Sequence, residues 1–329
     1  MIYGLAGFAV LFVLLFLSVP IAFGLVLVGF VGFGLIQGWA PALHMVGQIA
    51  FSTVLNEEMS VIPLFILMGS FIAAARLSDD LYAAANALVG HLRGGLSMAT
   101  VLACAGFSSV CGSSFATAAT MSKVALPPMR RYRYADSLAT ASIAAGATLG
   151  VMIPPSVPLL LYGIMTRTDV SELFVAGVVP GLLGALLYIG AVYLTALRNP
   201  AAAPPGERVP SADARRAVGR VWAVVLLFLF IIGGLYFGIF TPTEGAGVGA
   251  FLAFAFALAR RGLPLRSGFE VLLDAAKTTA VILFLLIGAL VFSNFLDIAG
   301  LPKALANVLT GAELAPLMVI VLILLIYLV

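Results

Sequence analysis

Gly94 to Met129 reads GGLSMATVLACAGFSSVCGSSFATAATMSKVALPPM, and the fold turns on how its middle is taken. Two apolar halves, Gly95 to Val110 and Phe115 to Leu126, flank CGSSFATAAT, Cys111 to Thr120, where a glycine and a run of hydroxyls interrupt otherwise oily sequence. Each half falls short of the ~20 residues that carry an α-helix across a bilayer. Two half-length helices joined by a polar turn point to a re-entrant hairpin over about 95–128 that enters and leaves on one side.

The surrounding composition supplies the membrane. Of 329 residues 63% are hydrophobic and 9% charged, with a mean hydropathy of +1.17, which excludes a soluble globular domain. Apolar runs long enough for helices recur from Leu5 onward, without the alternation of an outer-membrane barrel or a cleaved signal before a soluble domain. The expected class is therefore an all-α polytopic membrane protein. Cys104 and Cys111 lie in apolar sequence without metal-type spacing to His44 and His91, so neither a disulfide framework nor a zinc site is expected. No nucleic-acid partner is expected either.

Outward from the hairpin, Tyr3 to Ser18 and Ile21 to Gln37 read as two helices or one broken by Pro20, and Ala40 to Met59 is too polar to span. Ser60 to Ala75 is the next span, and Arg76 to Arg93, RLSDDLYAAANALVGHLR, has the amphipathic pattern of a surface helix. A hairpin that returns to the cytoplasm leaves Arg130, Arg131 and Arg133 inside. One span then ends near Thr166, Leu173 to Leu197 returns, Val221 to Phe240 goes out, Gly245 to Ala259 comes back and Val281 to Leu296 leads outward. On this path Arg76, Arg93, Arg130, Arg131, Arg133, Arg198, Arg208, Arg215, Arg216, Arg220, Arg260, Arg261, Arg266 and Lys277 are inside, and only Arg167 and Lys303 outside, with Lys123 in the hairpin. Such a split, 14 against 2 of the 17 basic residues, follows the positive-inside rule.

The sequence also repeats itself. FILMGSF (Phe65 to Phe71) precedes ANALVG (Ala85 to Gly90), and FLLIGAL (Phe284 to Leu290) precedes ANVLTG (Ala306 to Gly311), offset by 284 − 65 = 219 and 306 − 85 = 221 residues. Because the first of these spans runs inward and the second outward, the repeats are expected to be inverted, as in secondary transporters with a site between halves. The organisation is then 1–59 N-terminal scaffold helices, 60–198 first repeat with a broken helix over about 136–165, 199–220 cytoplasmic linker, and 221–329 an incomplete second repeat. The offset puts the second hairpin turn at 111 + 221 = 332, just past Val329, so the chain is expected to be truncated.

A turn at membrane depth exposes backbone groups that lipid cannot satisfy, so it needs cover from protein or a watery cavity. Gly112 permits the turn, Ser113 or Ser114 can cap the following helix, and Ser113, Thr117 and Thr120 share a face. That face could offer oxygens to a hard cation such as sodium, while the helix end attracts an anion. Close helix packing is the alternative use of the same small and hydroxylated residues. A second interruption, GATLGVMIPPSVP (Gly146 to Pro158), carries Pro154, Pro155 and Pro158, whose missing amides free the carbonyls of Gly150, Val151 and Pro154 beside Thr148 and Ser156. A discontinuous helix is favoured over an ordinary kink. Glu244 in FTPTEGAG (Phe240 to Gly247) reads as a helix N-terminal charge before it reads as a ligand, and Lys123 as a snorkelling side chain.

An ion-coupled secondary transporter accounts for both interruptions. A membrane-embedded enzyme would need a nucleophile with its base, paired aspartates or a metal site, and the spans offer none of these; a structural scaffold leaves the broken helices unexplained. No phosphate-binding loop supports an ATP-driven pump.

CGSSFATAATMSKVALPPM, then YADSLATASIAAGATLGVMIPPSVPLLLYG, then FTPTEGAGVGA resemble the large membrane subunit of tripartite ATP-independent periplasmic (TRAP) transporters, with stand-alone dicarboxylate or other anion carriers of the same superfamily as the nearest alternative. The resemblance implies a sodium-coupled importer of small organic anions in a bacterial inner membrane. It also implies a periplasmic substrate-binding protein, a small four-helix membrane subunit, and an elevator movement of hairpins and broken helices against a scaffold. Carried over by position, Gly112, Ser113, Ser114, Ala116 and Thr117 form the first hairpin tip, and Gly146, Thr148, Gly150, Pro154, Pro155 and Ser156 complete a sodium site. Substrate contacts are expected from Ser113, Ser114, Thr117 and Ser156.

Overall fold

The computed structural model describes residues 2–260, 265–311 and 316–328, without side-chain detail at 265–267, 308–311, 316, 323 and 326–328. Arg261, the side chain of Arg266, the side chains at the end of ANVLTG, and Val329 with the turn expected beyond it therefore lie outside the described residues.

Among the described residues the chain is all-helical, and the helix ends fall where local chemistry puts them. Helix α1 (Ile2–Phe16) and α2 (Ile21–Gln37) are separate, divided by Ser18 and by Pro20, whose ring favours a helix start over a helix interior. They are followed by α3 (Trp39–Leu55), α4 (Val61–Ala74), the amphipathic α5 (Leu77–Val89), α6 (Gly95–Cys111), α7 (Ser114–Arg131), α8 (Asp136–Met152), α9 (Val157–Thr166) and α10 (Val170–Arg198). Then come α11 (Ser211–Arg220), α12 (Trp222–Tyr236), α13 (Pro242–Ala259), α14 (Leu265–Ile298), α15 (Leu301–Gly311) and α16 (Pro316–Leu328). Among the described residues six helical stretches are long and apolar enough to cross a bilayer, which makes the protein an all-α polytopic membrane protein. Phe65 to Phe71 falls on α4 and Ala85 to Val89 on α5, while Phe284 to Leu290 falls on α14 and Ala306 to Gly311 on α15. The two copies of the repeated pattern thus each read apolar helix, then shorter helix.

The chain forms two compact units, Met1–Asn56 with Ala280–Val329, and Glu57–Thr279. In the first, α1 and α2 pack around the aromatic end of α14, where Leu11, Val28, Phe33, Phe292 and Phe295 are buried together. Phe8 meets Phe292 edge-on at 5.2 Å.

In the second unit, α4 buries Ile62, Phe65, Ile66, Met68, Gly69 and Ile72 at helical spacing. The small-residue stripe of α13, Gly245, Ala246, Gly249, Ala250, Ala253 and Ala257, lets the two helices close, so that a Cβ on Gly249 would lie 2.7 Å from Met68 Sδ. At the other side of α4, α6 is buried along nearly its whole length. The Thr241 hydroxyl accepts from Glu244 N–H and the Glu244 carboxylate accepts from Thr241 N–H, so Glu244 completes a capping box at the start of α13.

One end of this unit gathers the loops rich in arginine. Gly94 N–H donates to Ala203 O at 3.1 Å, Gly206 N–H to Gly90 O at 3.0 Å and Ala135 N–H to Ala202 O at 3.0 Å. The Tyr134 hydroxyl accepts from Leu96 N–H, and burial raises the pKa of this phenol, keeping it neutral. Arg260 pairs with Asp80. Residues 199–220, a linker by composition, are therefore bonded into the unit, with Ala203 buried and α11 packed along α5. Composition reports solvation of the side chains; it does not report where the backbone groups of Ala202, Ala203 and Gly206 find partners.

Candidate functional site at the hairpin tip

Helices α6 and α7 form the hairpin. Both outer ends lie at the arginine-rich end, where Leu96 and Tyr134 are bonded, and only Gly112 and Ser113 separate the two helices at the tip. Gly112 has φ +63°, the left-handed conformation that costs an L-residue ~1–2 kcal/mol and glycine almost nothing. Ser113, and not Ser114, caps α7: its Oγ accepts from Ala116 N–H at 3.3 Å. The next span is discontinuous. Helix α8 ends at Met152, the chain passes through Ile153, Pro154, Pro155 and Ser156 with a cis Pro154–Pro155 bond, and α9 resumes at Val157. Ser156 repairs both sides of the break, donating to Val151 O at 2.6 Å and accepting from Leu159 N–H at 3.4 Å.

Tip and break touch through backbone. Val157 N–H donates to Gly112 O at 3.4 Å, and any Cβ on Gly112 would overlap Pro155 O. A Cβ on Gly150 would come within 3.2 Å of Ser113 C and Ser114 N. Two helix C-termini, of α6 and α8, and two N-termini, of α7 and α9, thus converge on one spot. Carbonyl ends favour a cation and amide ends an anion, so the junction is polarised without a formal charge.

The hydroxyls divide into engaged and free. Thr117 is fully buried, donates to Ser113 O at 2.8 Å and lies 3.4 Å from Ser108 Oγ, which ties α7 back to α6. Ser114 Oγ is buried and, among the described residues, has no hydrogen-bond partner. A buried unsatisfied oxygen costs ~1–3 kcal/mol, and a hard cation accepts that kind of ligand. Ser113, Ser114, Gly112, Gly150, Pro154, Pro155 and Ser156 are thus brought together. Gly146 and Thr148 are not: Gly146 receives Cys104 Sγ in the α6–α8 contact, and exposed Thr148 bonds Ala145 O at 2.7 Å and the Tyr188 hydroxyl at 3.1 Å on the α10 side. Lys123 is exposed, about two and a half helical turns along α7 from Ser114.

Several contributors escape a reading by sequence alone. Gly69 on α4 faces Cys111, with a would-be Cβ 2.8 Å from its Cα. Gly177 and Gly181 on α10 admit Met152 O and Ile153 in the same way, a small-xxx-small spacing that brings α10 against the break. The spacing of Gly177 and Gly181 was available in the sequence; the Ser108–Thr117 pairing, made across a turn, had no local signal.

Residues 8–329 match the family model described as tripartite ATP-independent periplasmic transporter, DctM component. The chain is 37% identical to the C4-dicarboxylate TRAP transporter large permease protein DctM of Pseudomonas aeruginosa, over 82% of this chain and 62% of that one. It is 31% identical to the ectoine/5-hydroxyectoine TRAP transporter large permease protein UehC of Ruegeria pomeroyi, over 94% and 72%. With the isethionate TRAP transporter permease protein DctMQ of Oleidesulfovibrio alaskensis it shares 32% identity, over 93% and 48%. The chain thus spans between about half and three quarters of the length of these curated relatives. With its helical hairpin, its broken helix and a family match over nearly its whole length, this bacterial inner-membrane chain belongs to the DctM family of TRAP transporter large permeases.

Proposed function

We propose that this permease imports small organic anions, carboxylates among them, by coupling their uptake to sodium. A periplasmic binding protein delivers the anion and a small four-helix membrane subunit packs beside the permease. Sodium binds at the junction of hairpin tip and break, using Ser114 Oγ and carbonyls at Gly112, Gly150, Pro154 and Pro155. Its charge then makes the N-termini of α7 and α9, with Ser113, Thr117 and Ser156 nearby, a better site for an anion. Because tip and break are bonded to each other, α6 to α9 move as one body in an elevator stroke.

The observation that carries this reading is the buried Ser114 Oγ, without a partner among the described residues, at a meeting of four helix ends. The names of the relatives, which cover C4-dicarboxylates, ectoine and isethionate, support the anionic or zwitterionic substrate class. The test is uptake into proteoliposomes holding the permease with its small subunit and binding protein, with succinate, ectoine and isethionate as probes. Uptake of one probe should require an inward sodium gradient and fall at least tenfold with Ser114→Ala. An equal rate with N-methylglucamine in place of sodium would overturn sodium coupling.

A further inference from the structure

Below the arginine-rich end of the second unit, α12 presents two unlike faces. Ala223, Val224, Leu227, Ile231, Gly234 and Leu235 are buried in the unit. Trp222, Val225, Leu226, Leu229 and Phe230, spaced at i, i+3, i+4, i+7 and i+8, line an open apolar groove on the other face. Aromatic neighbours flank this face at both ends: Trp222 stands edge-on to Phe256 at 5.5 Å and Phe230 packs on Phe240 at 5.4 Å.

Immediately before Trp222, the chain carries Arg208, Arg215, Arg216 and Arg220, all exposed. The acidic residues of this stretch are Glu207 and Asp213, so its net charge is 4 − 2 = +2. Arg216 approaches Asp213 at 3.7 Å, both side chains mostly exposed, a pairing too weak to neutralise the cluster. Helix α11 buries none of its own residues yet is held against α5 and leads directly into α12, which sets its arginine-bearing backbone at the Trp222 end of that face.

A strip of cationic side chains at the membrane surface, running into an apolar groove along a spanning helix, has the chemistry of one lipid: phosphate at the top, acyl chain below. Each Lys or Arg beside an anionic membrane surface adds to the attraction for anionic headgroups. We propose that α11 and the outer face of α12 form a binding site for an anionic phospholipid, its phosphate held among Arg215, Arg216 and Arg220 and one acyl chain lying along Trp222, Leu226 and Leu229. The charge complementarity selects an anionic lipid over a zwitterionic one, which the groove alone would not do. The site holds the pinned segment 199–220 to the bilayer, independently of sodium at the hairpin tip.

These 329 residues hold two tryptophans, so Trp39→Phe, with any tryptophan outside them also changed to Phe, makes Trp222 the reporter in the groove itself. The permease is reconstituted in nanodiscs of zwitterionic phosphatidylcholine containing a small mole fraction of brominated phosphatidylglycerol or, separately, brominated phosphatidylcholine. Trp222 should be quenched at least threefold more by the brominated anionic lipid at equal mole fraction. Arg215→Gln/Arg216→Gln/Arg220→Gln should abolish that preference, and the Arg→Lys triple variant, which keeps the charge, should retain it. Equal quenching by the two lipids, or a preference that survives the Gln variant, would overturn the site. If adding the small membrane subunit abolishes quenching by both lipids, the groove belongs to a protein helix and the proposal fails. A Gln variant that does not fold leaves the wild-type and Lys measurements to decide.

Discussion

Glycine does one job in the unit built on α1 to α3 and another around the hairpin tip of the second unit. In the unit built on α1 to α3 and the end of α14, Gly7 and Gly32 are notches filled by the ring of Phe295, and Gly34 is filled by Trp39. Gly29 does admit backbone, at Val291 and Phe292, but it is helical backbone whose groups are already bonded. At the hairpin, the partners are chain ends: Gly69 meets Cys111, Gly112 meets Pro155 O, Gly150 meets Ser113 and Ser114, and Gly177 meets Met152 O. The first arrangement maximises dispersion between helices, which lipid cannot supply as well. The second brings unpaired carbonyls, amides and hydroxyls within reach of one another and of an ion. A glycine-rich membrane sequence is therefore read by what fills each notch.

The contrast is broken most severely at Gly112. Gly112→Ala forces an L-residue into the left-handed region and onto a backbone carbonyl that cannot swing away, and should cost about 2–5 kcal/mol, the sum of strain and overpacking. Thermal unfolding in detergent measures the loss, and any sodium response should vanish with it. Gly32→Ala, by contrast, meets a ring that can tilt, and should cost about 1–3 kcal/mol with the sodium response kept. If Gly32→Ala proves the more damaging, the distinction between ring-filled and backbone-filled notches is wrong. Ser156→Ala removes the cap of α9 and the partner of Val151 O, and should cost ~1–2 kcal/mol while weakening the sodium dependence of uptake. Smallest of all is Arg130→Gln: its 3.0 Å pair with Asp136 is solvent-exposed on both sides, and stability should change by only about 0–0.5 kcal/mol.

Much of the fold was legible because the chain marks its own interruptions. Pro20 separates α1 from α2, Gly112 and Ser113 make the hairpin turn, and Pro154 and Pro155 end α8, each through a local cause that needs no tertiary partner. The capping role of Glu244 was legible for the same reason. Orientation around a helix was harder. Thr148 and Gly146 sit on the same broken helix as Gly150, but rotation turns Thr148 to Tyr188, and Gly146, one turn earlier on the face of Gly150, meets Cys104 instead of the tip. In a span where almost every residue is apolar or small, no hydrophobic stripe reveals which side faces the site. For the segment 199–220, proline, alanine and arginine describe a linker and do not reveal the three backbone hydrogen bonds that tie residues 202, 203 and 206 to the loops at 135, 94 and 90.

The joint site at tip and break is tested most directly by hydrogen–deuterium exchange of the permease in nanodiscs, in sodium chloride and in choline chloride at equal ionic strength. Sodium should slow exchange together at Ser113 to Thr117 and at Val157 to Leu160, with little change along α1 and α2. Slowing in only one of the two segments, or in neither, would contradict a shared sodium site.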